Sequence, residues 1–61
     1  MLVKKNDRLV RDGQRYSVIC ADDEFFIIGR MEGTITKFTK LEAYSNDETI
    51  NTLEELKFIK E

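Results

Sequence analysis

The stretch that decides the fold is Arg8-Leu9-Val10-Arg11-Asp12-Gly13-Gln14-Arg15-Tyr16-Ser17-Val18-Ile19-Cys20. Asp12-Gly13 divides it into two runs. The dipeptide is a strong hairpin signal, because glycine tolerates the positive φ that a tight primed turn demands. Before the turn, Arg8 to Arg11 reads as a short strand. After it, Arg15 to Cys20 alternates, with Tyr16, Val18 and Cys20 on one face and Arg15, Ser17 and Ile19 on the other.

Working outward, Ala21-Asp22-Asp23-Glu24 is a polar interruption, and Glu32-Gly33 repeats the glycine turn signal less emphatically. Three turns spaced by roughly ten residues describe an antiparallel meander. Phe25-Phe26-Ile27-Ile28 is apolar on both faces, as in a strand covered on both sides. Gly29 then suggests a bulge or bend where the sheet curls. Thr34 to Lys40 is rich in β-branched residues. Ile35 and Phe38 there have opposite parity, which calls for a bulge between them or a core on both sides.

The last third changes character. Ser45-Asn46-Asp47-Glu48 has the capping-box pattern, and Thr52-Leu53-Glu54-Glu55 repeats it. Ile50, Leu53 and Leu56 fall on one helix face, so the reading is a short helix followed by an extended tail at Lys57 to Lys60. The expected class is mainly β, with four or five antiparallel strands and a short C-terminal helix.

Sixty-one residues make a single domain, 1–61. A domain of this size buries only about 60% of the surface its unfolded chain exposes. Cys20 is the lone cysteine and there is no histidine. An internal disulfide is therefore excluded, and neither a zinc site nor any other metal or cofactor is expected. A partner subunit is the remaining source of added stability.

Ten basic side chains face twelve acidic ones, a net charge of −2. Residues 1–40 are mildly basic and residues 41–61 mildly acidic. No stretch approaches the roughly 20 apolar residues needed to span a bilayer. The opening residues carry charges too early for a secretion signal. An unpaired cysteine fits a reducing compartment, so a cytoplasmic setting is expected.

Without histidine, Cys20 or a serine would need Lys or a carboxylate as its base, and nothing marks such a pair. No enzymatic activity is expected. Cys20, in phase with Tyr16 and Val18, reads as a small core hydrophobe. Asp22-Asp23-Glu24 reads as a solvated turn, because a calcium loop spaces its ligands at alternate positions. Arg8, Arg11, Arg15 and Lys37, with Tyr16 among them, form a candidate basic strip for nucleic acid. They also suit the solvated face of a strand, the reading that the acidic overall charge favours. Phe25, Phe26 and Ile28 pose a different choice. They either close a barrel or form a partner interface, where aromatics are enriched.

Lys5-Asn6-Asp7-Arg8-Leu9-Val10, Asp12 to Val18 and Gly33-Thr34-Ile35 together resemble the small β-barrel module of Mu-type and Tn7-type transposases. The family's opening glycine is Asn6 in this sequence. The resemblance covers about Lys4 to Lys40 and implies an SH3-like curled sheet or barrel that holds DNA or a neighbouring subunit. The family's catalytic carboxylates belong to a separate domain, so no activity carries over. In size and composition the chain also resembles small proteins that phages use to occupy and inhibit host proteins. The sequence thus points to a protein-binding module, with a nucleic-acid-binding accessory barrel as the alternative. A homodimer is expected, with Phe26 and Ile28 near its interface.

Overall fold

The computed structural model of the protein describes residues 1–32 and 37–61, without the side chains of Glu32 and Lys37. The second glycine turn and the Ile35 parity argument fall on residues 33–36 and lie outside the described residues.

Among the described residues five strands form one antiparallel sheet: β1 (Arg8–Arg11), β2 (Gln14–Ala21), β3 (Phe25–Glu32), β4 (Lys37–Ser45) and β5 (Ile59–Lys60). Their spatial order is β4-β3-β2-β1-β5, so the first four strands follow one another as a meander and the chain then crosses back to lie beside its first strand. Among the described residues the sheet is not closed, β4 and β5 forming its two edges.

The first hairpin forms as its dipeptide dictates. Arg11 pairs with Gln14, and Asp12 and Gly13 have φ of 53° and 74°. Both central residues at positive φ define the primed turn whose twist matches the strands. At the second reversal, Asp22 Oδ1 accepts from the backbone N–H groups of Glu24 and Phe25, each at 2.8 Å. The Asp22 carboxylate is thus occupied in fastening a turn.

Two bulges set the sheet's shape. Ile19 is skipped between the pairs Val18↔Ile28 and Cys20↔Ile27. On β4, Lys40 adds an extra residue opposite Gly29, between Ile28↔Glu42 and Arg30↔Thr39, with φ of 51°. The sheet therefore irregularises at the glycine that marked it in the sequence.

The first bulge overturns one expectation. Cys20 is exposed, not a core residue, because the extra residue reverses the alternation that placed it with Val18.

The core lies on one face of the sheet. Leu9, Tyr16, Val18, Phe26 and Ile28 are joined by Val3 from the N-terminal segment and Phe58 from the crossing before β5. Leu53 and Leu56 pack against it.

No C-terminal helix forms among the described residues; turns occupy its place. Thr52 does cap, its Oγ1 accepting from Glu55 N–H at 3.1 Å. The turn then ends at once. Lys57 adopts φ of 69°, while Lys57 N–H bonds Glu54 O and Phe58 N–H bonds Leu53 O. This is the two-bond C-terminal cap, arriving after a single turn. The physical reason is the core's demand for Phe58, which a continuing helix would carry away from Tyr16. The extended tail is realised as β5.

Candidate binding surface

A strand places alternate side chains on opposite faces, so register assigns each residue a side. Phe26 and Ile28 lie on the core face, leaving Phe25, Ile27, Gly29 and Met31 on the reverse face of β3. Their pairings carry Cys20 of β2 and Phe38 and Ala43 of β4 onto the same side. A Cβ built on Gly29 would lie 2.7 Å from Phe38 Cβ and 2.8 Å from Ile19 Cδ1, which shows both side chains lying over the glycine. Leu41 shares the phase of Ala43. At the other edge, Val10 pairs with Ile59.

This sheet is thus apolar on both faces; the core face is covered by the rest of the described chain, whereas on the reverse face Ser17 and Gly29 are buried at the centre and the apolar residues around them are left half-buried or exposed. Phe25, Leu41 and Ile59 are 56%, 64% and 71% exposed. Phe25 and Leu41 flank half-buried Ile27 on neighbouring strands, and such an apolar patch makes this face a candidate interaction surface, while Ile59 stands apart at the β5 edge.

Charge is distributed unevenly along that face. The acidic turn Asp22-Asp23-Glu24 adjoins Phe25 at one end. At the Met31 end stands Arg8, whose Nη1 lies 3.6 Å from Met31 Sδ. Arg15 is one step beyond the Tyr16↔Arg30 pair, at the same end. Its Nε contacts Glu61 Oε1 at 3.2 Å across an exposed pair.

The residues expected to bind separate in the structure. Of the interface set, only Phe25 is exposed. Phe26 and Ile28 are fully buried in the chain's own core and are not available to a partner. That corrects their assignment: the two-faced strand puts Phe25 and Ile27 outward, one residue out of phase with Phe26 and Ile28.

The basic strip also divides. Arg8 and Arg15 lie on the reverse face, but Arg11 follows Leu9 onto the core side. There its guanidinium donates to Tyr44 Oη at 3.1 Å, Leu56 O at 3.4 Å and Glu42 Oε2 at 2.9 Å. It also stacks on Tyr16 and Phe58, 5.3 and 4.3 Å from their centroids. Tyr16 is itself buried, with its ring edge-to-face against Phe58. Neither Arg11 nor Tyr16 presents itself to a nucleic acid, and the side chain of Lys37 lies outside the described residues.

Sequence reading missed Ile19, Ile27, Phe38 and Leu41 as members of one surface. The parity of Phe25 and Ile27 was a usable signal; the two bulges that align the rest were not.

Among the described residues no pocket opens and no group of three potential metal ligands gathers. Among them, too, no helix is long and apolar enough to cross a membrane. Compared with protein-family models, curated proteins and solved structures, the chain matches none.

Proposed function

We propose that this protein is a non-catalytic protein-binding module that offers the reverse face of its sheet to a partner. The observation that supports this reading is the exposure of Phe25 and Leu41 beside half-buried Ile27, on neighbouring strands of a sheet whose other face already holds the core. An interface needs an apolar centre with charges at its margin. This face has that composition.

For the architecture we assign an SH3-like curl. The order β4-β3-β2-β1-β5 and the turn-rich crossing before β5 support it. So does Asn6, which stands where the resembled transposase module has glycine and adopts φ of 76°. The role we read is that of occupying and inhibiting a host factor in the cytoplasm, as small phage proteins do. Size, composition and the single unpaired cysteine support that part.

The test is capture from native lysate on immobilised wild-type chain and on a Phe25→Asp/Leu41→Asp chain. A protein retained by the first and lost by the second supports the reading. Equal capture on both, or none on either, overturns it. Tight binding to generic DNA that weakens steeply with salt would transfer the protein to the nucleic-acid class.

A further inference from the structure

We propose that the reverse face is covered by a second copy of this chain, packed face to face about a twofold axis with the strands of the two copies running in opposite senses. This rests on the reading of that face as a protein-binding surface and names its occupant in the free protein, a copy that a host factor must displace to take the same face.

Sheets associate through edges or through faces, and here the edges are guarded. β4 is interrupted by Lys40 at positive φ, and a bulge with a lysine is a standard obstacle to strand addition. β5 offers only two residues. The face carries no such obstacle.

Opposite charges stand at the two ends of the face. Asp23 and Glu24 are exposed at the Phe25 end, and Arg8 and Arg15 are exposed at the Met31 end. The two ends are six residues apart on β3, about 20 Å along a strand. A twofold axis lying in the face and perpendicular to the strands exchanges those ends. It sets the arginines of each copy over the acidic turn of the other, twice. It also brings Phe25, Ile27 and Leu41 against the same surface of the partner. A twofold interface must be self-complementary, and this face meets that condition. An arrangement with the strands running the same way would instead oppose arginine to arginine. The Arg15–Glu61 contact is a solvated surface pair and yields at little cost.

Sedimentation equilibrium across a dilution series decides the matter, with circular dichroism confirming that each variant is folded. A two-chain mass is expected for the wild type. Phe25→Asp, which lies outside the core, should give a folded monomer. Arg8→Glu/Arg15→Glu should weaken association by about tenfold, since both charge contacts become repulsive. Adding Asp23→Lys/Glu24→Lys to that chain should restore it, because reversal of both ends recreates the complementarity. A one-chain mass at every concentration overturns the second copy, and so does a dimer that survives Phe25→Asp. Neither result decides whether the face takes a different protein, which the lysate comparison reads separately.

Discussion

Arg11, the last residue of β1, donates from Nη2 to Oε2 of Glu42 on β4 at 2.9 Å, although β2 and β3 lie between their strands in the sheet. The contact is possible only because the sheet curls. Tyr44 completes a triangle, its hydroxyl accepting from Arg11 and donating to Glu42 at 2.8 Å. The hydrogen bond from Arg11 to Tyr44, ahead of the Glu42 charge, holds the guanidinium above its ordinary pKa. Burial, followed by the hydrogen bond to Glu42, raises the Tyr44 phenol despite the opposing Arg11.

Arg11→Ala removes both the fork and the lid over Phe58. A loss of about 1–3 kcal/mol of unfolding free energy is expected from hydrogen bonds to a charged group plus lost packing. Arg11→Lys should recover less than half of it, because a point charge cannot bridge Tyr44 and Glu42 together while stacking on a ring. Urea denaturation measures both. An Arg11→Lys chain as stable as wild type would show that charge alone closes the curl.

Asn46 performs a comparable task with a neutral side chain. It is completely buried, and its Oδ1 accepts from Leu2 and Val3 N–H while its Nδ2 donates to Val3 O and Asp22 O. One side chain thereby ties the N-terminal segment to the β2–β3 turn. Asn46→Ala leaves these backbone groups without it, at an expected cost of about 2–4 kcal/mol. Asn46→Asp tests the polarity. A carboxylate can still accept from Leu2 and Val3 but cannot donate, so it should be no more stable than the alanine variant in thermal denaturation at neutral pH.

These two residues mark where the sequence could and could not be read. The meander was legible because Asp12-Gly13 and the Asp22 turn are local signals, decided within four residues. Phe25 as an outward candidate was legible from a strand with two apolar faces, although Phe26 and Ile28, assigned with it, are buried. Its partners were not, because one extra residue at Ile19 and another at Lys40 reset the parity, and neither has a composition that announces it. The helix failed for a related reason. Thr52 caps as its motif says, but Lys57 at φ of 69° ends the turn so that Phe58 can enter the core. Tertiary packing outweighed a local pattern worth about 1 kcal/mol.

Gly29 gives a prediction that turns on close approach. Gly29→Ala would put a methyl 2.7 Å from Phe38 Cβ and 2.8 Å from Ile19 Cδ1. Ile19 can rotate away, but a Cβ cannot. The strands must therefore separate, with an expected loss of about 1–3 kcal/mol. Ile19→Ala in the same chain should recover only part of the loss. Full recovery would locate the obstruction at Ile19 alone.

The exposed Cys20 makes the β2 bulge chemically testable. In an unbroken alternation this thiol would join Val18 inside and react with a disulfide reagent only on unfolding. With the bulge it lies on the reverse face, open to solvent. A dilute folded sample should react at a rate within about tenfold of the urea-unfolded chain, thiolate fraction and access being what set the rate. Reaction only upon unfolding would remove the bulge.

Acid should unfold the protein, through three turn-fastening aspartates. Backbone donation from Lys4, together with Lys60 Nζ at 3.2 Å, holds Asp7 below its ordinary value of 3.8. Backbone donation from Phe25 and Glu24 does the same for Asp22, and the Thr49 amide and hydroxyl for Asp47. In each case the folded state releases its proton more readily than the unfolded chain. Their stabilisation is therefore fully present above the unfolded value near 3.8 and is lost as pH falls through the lower folded values. Melting temperature should hold steady from pH 7 to about 5 and decline below about 4, within the usual carboxylate range. Asp7→Asn, which keeps the size but accepts more weakly from Lys4 N–H and loses the ion pair, should flatten that decline. A profile for Asp7→Asn as steep as the wild type would assign the acid limb to the other two turns.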